Sequence, residues 1–116
     1  MGAETVKQLA VHNPSKIFFT GRNTKAANTL IESTKLLNPH VQVRFVPCDL
    51  SDLSSVRQAS NRIAAKATRI DLFFCNAGVM ALPPGLSKDG YEQQFATNHL
   101  GHALLIDLLM PVLQDT

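Results

Sequence analysis

Residues 70–78 read Ile70-Asp71-Leu72-Phe73-Phe74-Cys75-Asn76-Ala77-Gly78, and the reading of this stretch decides the fold. The apolar run is too short for a helix and is rich in the residue types that favour strands. The Asn-Ala-Gly that follows at once supplies the small residues of a turn. The same signature occurs upstream, where Lys16-Ile17-Phe18-Phe19-Thr20 ends at Gly21 and reads as a buried strand.

Outward from these two runs, Val41, Val43 and Phe45 alternate with Gln42 and Arg44, which predicts a strand with one more exposed face, ended by Pro47. Segments of helical period separate the strands. Val6, Leu9 and Ala10 share one face of a helix over residues 3–12. Ala27, Leu30, Ile31 and the Leu36-Leu37 pair predict a helix over residues 24–37, stopped at Asn38-Pro39 because the proline ring disfavours α geometry in the residue before it. Ser51 is placed to cap a third helix, whose inner stripe is Leu53, Val56, Ser60, Ile63, Ala64 and Ala67. A loop holding Pro83, Pro84, Gly85 and Gly90 leads to a long helix from about Tyr91, with Phe95, His102, Leu105, Ile106 and Leu109 on its inner side. Pro111 is expected to kink or fray its last turn.

Alternation of helix and strand at these lengths implies an α/β fold in which a parallel sheet carries helices on both faces through right-handed crossovers. The order opens on a helix, where a strand and a glycine turn are expected. The fold class read from the sequence is therefore a partial doubly wound parallel sheet, Rossmann-type, missing its first strand and its C-terminal half. In the sheet order 3-2-1-4 the first strand is central and lies between the runs at 16–20 and 70–75. Without it the sheet is split, apolar edges with unpaired backbone groups are left open, and instability or aggregation is expected.

The chain has 116 residues, 45% apolar and 17% charged, which is the composition of a single globular core former over residues 1–116. Its 11 basic and 9 acidic residues form no basic run or stripe, so a nucleic-acid partner has no electrostatic footprint. Apolar runs such as Leu108 to Leu113 fall far short of the roughly 18 residues of a transmembrane helix. The opening MGAETVKQLA lacks the apolar centre of a secretory signal. Cys48 and Cys75 each end a strand-like run and do not sit on neighbouring strands in this topology. Buried, reduced thiols and a cytoplasmic setting are expected.

Four landmarks in order resemble the short-chain dehydrogenase/reductase family. Gly2-Ala3-Glu4-Thr5-Val6-Lys7-Gln8-Leu9-Ala10 is similar to the start of its first helix, with Gly2 as the last glycine of its Thr-Gly-x-x-x-Gly-x-Gly turn. Thr20-Gly21-Arg22-Asn23 resembles the end of its second strand, Cys48-Asp49-Leu50 the end of the third, and Asn76-Ala77-Gly78 the NAG motif that closes the fourth. Phe95-Ala96-Thr97-Asn98-His99-Leu100-Gly101-His102 is similar to the fourth-helix segment of the retinol-dehydrogenase-like branch. The resemblance covers essentially the whole chain. The family's catalytic serine, tyrosine and lysine have no counterpart, since the single tyrosine, Tyr91, is followed four residues on by Phe95 where Tyr-x-x-x-Lys needs lysine.

The resemblance implies a cofactor site. Gly2 at a helix start would let a pyrophosphate approach free backbone N–H groups. Arg22 stands where the adenosine ribose lies in this family, and its planar fork suits a 2′-phosphate, with Lys25 as a lesser helper. No acidic residue lies between Thr20 and Ala27, so the cofactor expected is NADP (NADPH) rather than NAD. Asp49 would accept from the adenine amino group, or else stabilise the helix that follows it. Asn76, Ala77 and Gly78 would let the backbone approach the cofactor. Asn98 corresponds to the family's active-site asparagine at the proton-relay position, and because asparagine is a poor helix former its side chain should have a compensating partner. His99 and His102, three apart, have no third ligand placed beside them, so no metal is expected and both read as packing residues.

What the resemblance implies for the whole is an NADP-dependent oxidoreductase acting on an alcohol or carbonyl of a small, lipophilic molecule. This chain would be a part of it, inactive alone. Two other readings stand beside that one: a non-catalytic module that docks or dimerises through helix 91–114 onto a full-length relative, and a nucleotide-binding remnant without chemistry.

Overall fold

A computed structural model describes all residues from Met1 to Thr116. The elements run α1 (Gly2–Ala10), β1 (Lys16–Gly21), α2 (Thr24–Leu37), β2 (Gln42–Pro47), α3 (Leu53–Lys66), α4 (Gln93–Phe95), a π-turn (Ala96–Leu100) and α5 (Gly101–Gln114). The chain divides into two compact units, Met1–Pro47 and Cys48–Thr116, and no shift in composition marks that division.

In the first unit β1 and β2 pair in parallel, with Ile17 opposite Val43 and Phe19 opposite Phe45. The Phe19 and Phe45 rings lie 5.4 Å apart and tilted, an arrangement favoured for aromatic pairs. Val6 and Ala10 of α1, Ile17 of β1, Leu30 of α2 and Val41 form the core, with Leu9, Phe19 and Val43 packed against it. The Asn23 side chain caps α2 by accepting from Ala26 N at 3.0 Å. Asn38 ends the same helix and binds the end of α1, donating from Nδ2 to the Ala10 carbonyl at 3.0 Å. The inner face of α2 continues to Thr34, whose hydroxyl donates to the Leu30 carbonyl at 2.8 Å. Leu36 and Leu37, expected on that face, are exposed because the helix has turned past the core by then.

In the second unit Asp52, not Ser51, caps α3, accepting from Ser54 N at 3.0 Å and Ser55 N at 3.4 Å. Asp89 adds a second carboxylate there, accepting from Leu53 N at 2.9 Å, and Lys88 lies 3.6 Å from Asp52. Two carboxylates therefore satisfy three of the N–H groups that a helix start leaves free. Val56, Ala59, Ser60, Ile63 and Ala67 are buried, while Ala64 is exposed. Leu105 and Leu109 are buried on α5, and Phe95, expected inside, is half exposed. The cap of α4 is Glu92, one residue beyond the expected start at Tyr91. Pro111 does not fray α5, which runs on to Gln114.

The largest departure concerns residues 70–75. They form no strand, because the sheet consists of β1 and β2 alone. Leu72 and Phe74 are 66% and 56% exposed, and Cys75 is exposed rather than buried. A strand exists only with a hydrogen-bonding neighbour, and no strand of this structure pairs with this run. The sheet is thus smaller than expected, and the run 70–75 lies outside it.

Candidate functional site

The candidate site lies in the second unit, where the Asn76-Ala77-Gly78 turn meets the π-turn. Asn98 grips one residue through both its backbone polar groups: its Oδ1 accepts from Val79 N and its Nδ2 donates to the Val79 carbonyl, each at 2.7 Å. This is the partner that an asparagine inside a helix calls for, since the carboxamide is satisfied as a strand neighbour would be. One turn further along, the His102 ring nitrogen Nε2 lies 2.7 Å from the Ala77 carbonyl. The π-turn adds a residue to the helix at Asn98, a local device common at functional sites.

Gly78 gives this grip room. A Cβ on it would stand 3.1 Å from Asn98 Oδ1, tighter than ordinary van der Waals contact. Beyond it, Ala81 takes φ +57°, a left-handed conformation that costs a residue with a Cβ about 1 kcal/mol. Asn76, Ala77 and Gly78 are exposed, so the turn presents its backbone outward while its inner atoms are held by helix side chains.

Also in this unit, Asp49 turns back on its own loop: Oδ1 accepts from Ser51 N at 3.0 Å and from Ser51 Oγ at 2.6 Å. Helix capping falls to Asp52 instead. Cys48, beside it, is buried, and desolvation, reinforced by the charges of Asp49 and Asp52, pushes its thiol up to about 11. His99 stacks on Phe95 with ring centroids 5.2 Å apart and takes no part in the turn.

Gly2 and Arg22 belong to the other unit. Gly2 opens α1 behind Met1, which caps it with no side-chain bond. Arg22 is exposed directly after β1 and forms no ion pair. The structure therefore brings together Asn76, Ala77, Gly78 and Asn98, and adds His102. Sequence reasoning treated His102 as packing, although its place four residues after Asn98 sets both on one helix face. No group of three or more His, Cys, Asp or Glu is arranged to hold a metal ion.

A parallel β-α-β unit such as β1-α2-β2 is the building block of dinucleotide-binding α/β folds. Comparison with known proteins narrows the class. The profile of the family described as "short chain dehydrogenase" matches residues 1–116, and the chain belongs to that family. Short-chain dehydrogenase TIC 32 A, chloroplastic, of Brassica napus is 36% identical over 116 residues, covering 100% of this chain and 36% of that protein. Human polyprenol dehydrogenase is 32% identical over 116 residues, covering 100% of this chain and 35% of that protein. A short-chain dehydrogenase from Sphingobium yanoikuyae, solved in complex with NADPH, superposes with a TM-score of 0.77 over 95% of this chain and 43% of its own, at 18% identity. That structure shares the Rossmann-type α/β fold. The chain spans about a third of the length of the two curated relatives.

Proposed function

We propose that this chain is the dinucleotide-binding part of an NADP-dependent oxidoreductase acting on an alcohol or carbonyl of a small lipophilic molecule, and that it does not turn over by itself. The observation that carries the reading is the clamped Asn76–Gly78 turn, held at Val79 by both atoms of the Asn98 carboxamide. The residues present fit a phosphorylated dinucleotide. In the unit of residues 1–47, Arg22 offers an exposed guanidinium with no carboxylate between Thr20 and Ala27 to compete for it, and Gly2 leaves the start of α1 open to a pyrophosphate. In the unit of residues 48–116, Asp49 carries both its bonds on Oδ1, which leaves Oδ2 to accept from an adenine amino group. Asn76, Ala77 and Gly78 allow close backbone approach.

When bound, NADPH would donate hydride to a carbonyl, or NADP+ would accept it from an alcohol. Asn98 is the relay-position residue of the proposal, acting by holding the turn. A lowered-pKa tyrosine with its lysine is what proton transfer in this family requires, and Tyr91, just ahead of the Glu92 cap, has Phe95 four residues on where that lysine would stand. Lipophilic substrate chemistry is supported by the likeness to polyprenol dehydrogenase. A cytoplasmic setting is part of the proposal, supported by two free cysteines.

The test is thermal stabilisation by NADPH and NADH with Arg22→Ala alongside. The proposal expects NADPH to raise Tm more than NADH, the difference to vanish in R22A, and no turnover of alcohols or aldehydes by the 116-residue chain. No shift at millimolar NADPH, or measurable turnover, would refute it. A second reading, docking or dimerisation through helix 91–114, is favoured by Tyr91 and Phe95 at 49% and 50% exposed and Met110 at 36%. A chain that stays monomeric at high concentration and is not retained by a full-length relative would remove it.

A further inference from the structure

The contact between His102 and Ala77 has a direction. A carbonyl oxygen only accepts, so at 2.7 Å Nε2 must carry the proton, and the neutral ring is then the Nε2–H tautomer with Nδ1 unprotonated. Three polar atoms of the segment 77–79 are thereby held by two side chains of one helix: the Ala77 carbonyl by His102, and the Val79 N–H and carbonyl by Asn98. The two bonds to Val79 hold the peptide units on either side of its Cα, but neither reaches the Ala77–Gly78 peptide ahead of them. The bond to the Ala77 carbonyl holds that peptide as well. The need for it is plain from the neighbourhood, because residues 71–75 have no sheet neighbour to hold the chain that enters the turn.

From this we infer that His102 is a positioning residue, which sets the shape of the Asn76–Gly78 turn through its Nε2–H bond to the Ala77 carbonyl. The inference rests on the proposed function only for what the turn is shaped to receive. The phenyl ring of His102→Phe fills much of the same space without the donor, and His102→Gln keeps an N–H donor on a chain of similar reach. Amide hydrogen exchange of the free protein is the primary readout, with NADPH binding measured in parallel.

His102→Phe is expected to speed exchange at Val79, whose N–H is bonded to Asn98 Oδ1, by roughly five- to tenfold, the loss of one net hydrogen bond in the clamp, while α5 amides keep their protection. His102→Gln is expected to return most of that protection. In the wild-type protein, 15N spectra are expected to show the Nε2–H tautomer. Unchanged exchange at Val79 in H102F, an Nδ1–H tautomer, or protection restored equally by a donorless side chain such as leucine would overturn the inference. Absence of NADPH binding in all variants, with the exchange contrast intact, would refute the cofactor proposal and leave the role of His102 in the turn standing.

Discussion

Gly101 stands at the tightest point of the second unit. A Cβ there would overlap the Leu50 carbonyl oxygen and come within 3.0 Å of its carbonyl carbon, backbone atoms that have no easy retreat. Gly101→Ala is therefore expected to destabilise the unit by about 1–3 kcal/mol, although alanine is the better helix former by about 1 kcal/mol. Urea unfolding checks the sign: a stabilised variant would mean that the helix does not pack this closely on Leu50. The thiols give a second prediction at this scale. With Cys48 at about 11 against an ordinary 9.0, its thiolate fraction near pH 8 falls roughly 100-fold, and burial blocks reagents as well. Cys75 is exposed, and partial desolvation also raises its thiol. Labelling should modify Cys75 first and Cys48 only on unfolding, and equal rates at both would contradict the packing. At this scale the sequence was informative where chemistry is local. Asn98 announced its need for a partner by sitting in a helix, whereas the role of His102 depended on a distant carbonyl that no local pattern encodes.

The helix that carries both residues begins at Glu92, whose carboxylate accepts from Gln94 N and Phe95 N, each at 2.9 Å. Those bonds favour the charged form and hold its carboxyl below the ordinary carboxylate value. A lowered pKa means that the cap contributes fully above the unfolded value near 4.5 and is lost as pH falls through the lower folded value. Acidification should fray Gln93–Phe95 before α5, and Glu92→Gln should flatten that dependence. Exchange rates or chemical shifts across pH 5 to 2 measure it, and fraying independent of Glu92 would contradict the assignment. The helices were legible in the sequence because their buried stripes repeat locally, and their ends shifted by a residue or two where several polar side chains compete to cap, as at Ser51 and Asp52. The run 70–75 was legible as a strand by composition. It is not one here, since pairing is supplied by a neighbour and not by the run itself.

For the whole molecule, the unpaired run 70–75 is expected to limit solubility. Leu72 and Phe74, two residues apart and both exposed, lie in a run free to accept a strand from another copy. Replacing both by serine should raise the concentration at which light scattering appears several-fold, and unchanged aggregation would place the sticky surface elsewhere. The fold class and the order of elements were readable from length, period and turn residues, except for the strand expected at 70–75. The division into two compact units was not, because no shift in composition or linker sequence marks it at Pro47. The proposed function has the Asn76–Gly78 turn face a phosphorylated dinucleotide. Titration of the 116-residue chain with NADPH, followed at the amide resonances of residues 76–79 and compared with NADH, tests this. Saturable shifts are expected at those amides, at lower concentration with NADPH than with NADH. Resonances that stay unmoved at millimolar NADPH would contradict it.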